Sequence, residues 1–345
     1  MAVRPLGRVG VLVALALLPA VLPAPSAHAA PPAQLDDSVV VRISSPARGE
    51  QVQGLVEIRG YAADTRSTSG SGLNESDIQV YLNDSSDQRN LLHYAAGKRD
   101  SADAAASLGS QFGQAGFAAS WDTCSFAPGH YSLTVWVSSL ATPGARNLAT
   151  TDVEVGSCAA GTTLKAQTGH LTNLRLQPNQ SAFHVGSTIW ADFATGVDAH
   201  CSIARCAYGL HLRDLPNPQG GQSPNLHYAF TVQPANRTFH LRRCPPTEGT
   251  ACVDLLHGSS TAVRGGTATN RLGVVALGSE LRLFVNGQEV GQVRDDQRPW
   301  GRIGWSGTNQ APAGSRENAD VEFTNFVVST PGPVETLAAV LRGTS

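Results

Sequence analysis

NRLGVVALGSELRLFVNGQEVGQVRDDQRPWGRIGWS, Asn270 to Ser306, decides the fold class. Arg271 to Leu277 reads as a strand, and Leu281, Leu283 and Val285 then alternate with Arg282, Phe284 and Asn286. Period two of this kind sends one set of side chains to a core and the other to the opposite face of a sheet. Asn286-Gly287 is the pair that a two-residue type I′ hairpin turn needs, because both turn positions have positive φ. Glu289 to Arg294 and Gly301 to Ser306 continue the pattern, so the stretch predicts an all-β unit of antiparallel strands.

Outward from this stretch, strands are expected at Ser187 to Ala194, Ala207 to Arg213, Asn225 to Val232, Thr238 to Arg243 and Asp320 to Val328. The run L-x-L-F-V-N-G, the following G-x-I-G-W and the F-x-N-F-V-V strand resemble the C-terminal half of concanavalin A-like jelly-roll domains of laminin-G or glucanase type. The resemblance implies a β-sandwich over 162–330. That fold hosts sugar binders, hydrolases and inert spacers alike, so it fixes shape and not activity.

The first half carries its own strand set. Val39 to Ile43, Val52 to Tyr61, Ile78 to Leu82, Gly116 to Trp121, Tyr131 to Val137 and Asp152 to Val155 are short period-two runs bounded by Gly, Pro, Asn, Asp or Ser. The strings V-x-I-S-S-P-A-x-G-x-x-V, I-R-G-Y-A, G-F-A-A-S-W-D and G-H-Y-S-L-T-V resemble bacterial immunoglobulin-like domains of secreted proteins. This implies a second sandwich over 38–158. The small residues Ala159 to Thr163 then read as a hinge between independently folding halves. A tail over 331–345 is broken by Pro331 and Pro333, with a short amphipathic helix expected over Val334 to Leu341.

Arg4 and Arg8, the apolar run Val9 to Leu22 and the small-x-small Ala27-His28-Ala29 form a secretory signal over 1–29. The protein is therefore expected outside the cytoplasm, where six cysteines, an even number, favour disulfides. Their spacing predicts Cys124–Cys158, Cys201–Cys206 and Cys244–Cys252. A zinc site built from Cys201, Cys206, Cys244 and Cys252 with His200 is the rival reading, disfavoured by the compartment and by spacings unlike a zinc knuckle. Lys98 and Lys165 are the only lysines and the net charge is −2, which excludes a polybasic field for nucleic acid or anionic membrane. The sequons at Asn74, Asn83, Asn179 and Asn236 are read as chance matches.

No catalytic motif stands out. Glucanase-type jelly rolls carry Glu-x-Asp-x-x-Glu on one strand, and here Asp320 and Glu322 are followed by Thr324 in the third position. No G-x-S-x-G elbow or phosphate loop is present. The expectation is no enzyme, no cofactor and no metal, with a structural calcium near the last strand left as an alternative that Thr324 weakens. Strand parity does gather a candidate ligand face. If Leu210, Leu212, Tyr228, Phe230, Phe239 and Leu241 point inward, then His211, Arg213, His227, His240 and Arg242 share the outer face. The same parity turns Trp190 and Asp192 outward and leaves Trp300 in a turn as a rim contact. A Trp beside polar side chains suits a sugar, which stacks on the ring while its hydroxyls are hydrogen-bonded. The expected function is a secreted, non-catalytic binding or adhesion protein with glycan, or else an extracellular protein, as partner. A jelly-roll glycoside hydrolase and an inert structural module are the alternatives.

Overall fold

The computed structural model describes residues 35–73, 77–83, 91–214, 226–244, 251–333 and 337–343. The segment read as a secretory signal, the sequon at Asn74, the expected strand start at Asn225 and the first three residues of the expected tail helix, Val334 to Thr336, lie outside the described residues.

The chain is all-β. Its first half contains β1 (Val39–Ser45), β2 (Glu50–Val52), β3 (Leu55–Asp64), β4 (Ile78–Leu82), β5 (Leu91–Tyr94), β6 (Ala96–Arg99), β7 (Gly116–Asp122), β8 (Gly129–Ser138) and β9 (Arg146–Val155). They form a sheet of order β1-β3-β7-β6 and a second of order β2-β9-β8-β4-β5. Alternate residues of both supply one core, with Ile58, Phe117 and Trp121 from the first sheet and Val80, Leu133, Val135 and Val153 from the second. The alanine-rich stretch between β6 and β7 forms α1 (Ala102–Leu108), which starts where the Ser101 side chain accepts the Ala104 N–H.

The second half contains β10 (Thr163–Leu176), β11 (Ser181–Trp190), β12 (Phe193–Cys201), β13 (Cys206–Asp214), β14 (His227–Gln233), β15 (Thr238–Cys244), β16 (Val253–Ser259), β17 (Asn270–Leu277), β18 (Glu280–Val285), β19 (Gln288–Arg294), β20 (Gly301–Asn309) and β21 (Ala319–Ser329). Two six-stranded sheets result, ordered β10-β21-β12-β17-β18-β19 and β11-β20-β13-β14-β15-β16. The β18-β19 turn has the expected geometry, with Asn286 at φ 52° and Gly287 at φ 80°. The Asn286 amide also donates to the Ala262 carbonyl and to Asn270 Oδ1, while Asn270 Nδ2 donates to the buried Tyr208 hydroxyl. Turn and core are thereby fixed to one another. Phe284 alternates with the core residues yet is buried, because α2 (Ala338–Arg342) and Leu337 cover it.

All three expected disulfides are present. Among the described residues no helix is long and apolar enough to cross a membrane.

The halves share a packed junction. Ile189, Ala191 and Trp300 of the second half belong to the core of the first, where the Trp300 ring lies 5.6 Å from Phe126 and its Nε1 donates to the Leu91 carbonyl at 3.0 Å. The Asp192 N–H donates to the Ser125 carbonyl, one residue from Cys124. The expected hinge is pinned: the Thr162 N–H donates to Thr330 Oγ1, whose hydroxyl donates to the Ala159 carbonyl, and Gln53 Nε2 donates to the Ser157 carbonyl. Cys158 is bonded to Cys124 at the junction itself.

Candidate functional site

The outer face of β11-β20-β13-β14-β15-β16 carries the chemistry. Tyr208, Leu210, Leu212, Tyr228, Phe230, Phe239 and Leu241 are buried in the core, as parity requires. Their neighbours therefore face outward. Pairing places Thr231 opposite His240, Ala229 opposite Arg242, and His240 and Arg242 opposite His257 and Asp254 of the edge strand β16. The rings of His240 and His257 stack at 5.8 Å, and Arg242 Nε donates to Asp254 Oδ1 at 2.8 Å. Burial and the Arg242 charge push the His240 imidazole below its usual value, against the pull of Asp254. Arg242 holds the Asp254 carboxyl below the usual range.

Toward the middle of the sheet the outward positions become small. Ser306 of β20, Gly209 of β13 and Thr231 of β14 line up across three strands, and in the next row the buried His211 stands between Gly304 and Ala229. On the far side stands Phe183 of β11, half-buried and paired with Ser306. Gly304, next on that face, has no side chain to fill the gap, so Phe183 reaches across to stack on His211 at 5.5 Å and 20°. His211 in turn stacks on His227 at 4.4 Å.

His211, His227 and Asp214 are buried, with exposures of 8%, 7% and 3%. Strict alternation would put 211 and 214 on opposite faces. Arg213 breaks it by adopting φ 52°, and the pairing of β13 with β20 shifts between His211 and Asp214. Asp214 thus comes beside His211, where Arg302 Nη2 donates to its Oδ1 at 2.5 Å and its Oδ2 lies 4.0 Å from His227 Nδ1. Burial raises the Asp214 carboxyl, opposed by Arg302, His227 and Arg298. Burial and the adjacent His227 push the His211 imidazole well below its ordinary value.

Four expected site residues are placed elsewhere. Trp190 is 3% exposed and belongs to the core of the second sandwich: its apolar neighbours Ile189 and Ala191, expected to point inward, pack instead into the first sandwich, so the phase of the alternation is the reverse of the one expected. Asp192 lies at the junction, accepting the Gly278 N–H at 2.8 Å with Arg213 Nη2 at 3.6 Å. Its carboxyl is raised by burial, with the Gly278 bond and Arg213 acting against the rise. Arg213 leaves the ligand face because of its positive φ; it is fully buried and donates to the carbonyls of Gly278, Arg298 and Ala191. Trp300 is no rim contact but a plug in the first sandwich. His211 and His227 are on the expected face but sunk into it, and His240 and Arg242 stand on it half-buried. Sequence reasoning missed Phe183, Asp214, Arg302, His257 and Asp254. Neither Phe183 nor Asp214 was within reach: the parity that turns Trp190 outward turns Phe183 inward, and nothing in the sequence marks the bulge before Asp214.

No protein-family profile matches the chain, and no curated protein does. Among solved structures, it is similar to the carbohydrate-binding module CBM66 from Bacillus subtilis, at 15% identity over 50% of this chain and 96% of that one, TM-score 0.37. It is also similar to a Bacillus subtilis protein of unknown function with a galectin-like fold, at 12% identity over 49% and 89%, TM-score 0.35. A Bacillus licheniformis beta-glucanase is similar at 11% identity over 50% and 91%, TM-score 0.32. Likeness at these identities and scores carries no weight for function.

Proposed function

We propose that the protein is a non-catalytic glycan-binding protein of the extracellular space, and that the glycan lies along the outer face of β11-β20-β13-β14-β15-β16. The carrying observation is the row of Ser306, Gly209 and Thr231, flanked by the half-buried Phe183 ring on one side and by His240 and His257 on the other, with Arg242 and Asp254 in the adjoining row. A pyranose needs a flat apolar surface for its ring and a few polar groups for its hydroxyls, and this row offers both within one sheet. The described carboxylates beside it, Asp214 and Asp254, are each held by an arginine, which suits binding better than an acid and nucleophile about 5 Å apart. Three disulfides support an oxidising compartment.

A glycan array probed with the mature protein, followed by calorimetry on the best hit, tests this reading. Phe183→Ala and Arg242→Ala are expected to weaken binding at least about tenfold, roughly 1.4 kcal/mol, while melting stays cooperative. An array without hits, or release of reducing ends from a bound glycan, defeats it.

A further inference from the structure

We propose that His211, His227 and Asp214 form a binding site for a divalent transition-metal cation of the zinc type. One ligand atom from each of the three lies within 4.8 Å of the others, and all three residues are buried. His211 Nδ1 is buried and has no hydrogen-bond partner among the described residues, an unsatisfied donor or acceptor that folding normally avoids. Asp214 is oriented from behind by Arg302 on Oδ1, as carboxylate ligands are oriented by an outer partner, which leaves Oδ2 directed toward His227. The 4.0 Å separation of Asp214 Oδ2 from His227 Nδ1 is too long for a hydrogen bond.

Backbone geometry supplies an independent reason. The positive φ at Arg213 and the register shift after His211 are what bring a carboxylate to the face that carries both imidazoles. Bulges that re-aim a side chain in this way are over-represented at functional sites. Two nitrogens and one carboxylate oxygen suit zinc and its neighbours rather than calcium or magnesium, which take oxygen donors. Three protein ligands leave a position for water or another oxygen donor.

Binding demands movement and meets opposition. The two imidazole planes lie 16° apart in a stack, so one ring must turn about its Cβ–Cγ bond before both nitrogens converge on one ion. The guanidiniums of Arg302 and Arg298 beside Asp214 oppose a cation, so the site exchanges its metal and yields it to a chelator. It differs in kind from the more open His240–His257 stack and from the more open His170–Glu322–His200 group on the other sheet.

The full mature chain, stripped with EDTA, is titrated with zinc and cobalt(II) by calorimetry and by visible absorption, with no glycan present. One equivalent is expected to bind, to raise the melting temperature and to shift the ring signals of His211 and His227 in NMR spectra. His211→Gln and His227→Gln are each expected to weaken binding at least tenfold, while His257→Gln and His170→Gln leave it unchanged. Absence of a one-to-one phase overturns the proposal, as does binding that survives both core variants. Should either core variant fail to fold, the wild-type ring signals decide: shifts confined to exposed histidines overturn it. The site stands apart from the glycan reading, since metal binding is measured without sugar and the array without added metal.

Discussion

At the scale of single residues, two of the buried charges, Arg213 and Asp64, lie away from the ligand row and serve to hold loops. Arg213 satisfies three carbonyls, and Asp64, fully buried, accepts from the Arg66 N–H and guanidinium and from Ser139 Oγ. Burial alone would raise the Asp64 carboxyl, but those hydrogen bonds outweigh it and hold the group far below its usual range. A carboxyl depressed on folding contributes stability above its unfolded value of about 3.9 and loses it as pH falls through the folded value. Urea midpoints measured from pH 7 downward are therefore expected to drop below about pH 4 in the wild type. Asp64→Asn should be less stable at pH 7 and show a flatter profile in the acid window. Equal slopes for the two proteins would remove Asp64 from the account.

At the scale of elements, periodicity made most strands legible, because both sandwiches bury one face of each sheet and leave the alternation visible. Asn286-Gly287 was legible for a different reason, since few residue pairs tolerate positive φ twice. The expected consequence is that Asn286→Ala costs about 2–3 kcal/mol, from the left-handed conformation and the lost bonds to Ala262 and Asn270. Asn286→Gly should cost less, because it keeps the backbone freedom. Guanidinium denaturation of both variants checks the order, and an Ala variant as stable as the wild type would refute it. What parity did not reveal has two sources: Ile189 and Ala191 are apolar because they meet the first sandwich, so Trp190 between them points into the second core, and the bulge at Arg213 exchanges an arginine for an aspartate on the ligand face. The half of the site built on β14 and β15 was readable, and the half that depends on β11 and on the end of β13 was not.

At the scale of the whole molecule, the expectation of two separable halves meets the junction built around Trp300. Its ring sits in the core of the first sandwich with Ile189 and Ala191, so division near Ala159 to Thr163 uncovers three apolar side chains on one piece and their socket on the other. Trp300→Ala is expected to cost about 3–5 kcal/mol, the usual toll for a core tryptophan. Calorimetry should show one cooperative transition for the wild type and separate transitions for the variant. Two resolved transitions in the wild type would mean that the junction does not couple the halves. The Cys124–Cys158 bond has a mechanical meaning as well. It anchors the connecting strand at the very contact where Ser125 meets Asp192, and Thr330 clasps the same strand from the other side. Tension drawn along the chain reaches that covalent anchor before it reaches any slack. A glycan held on the second sandwich, as proposed, would therefore pull on the first through this packed and cross-linked junction and not through a loose linker.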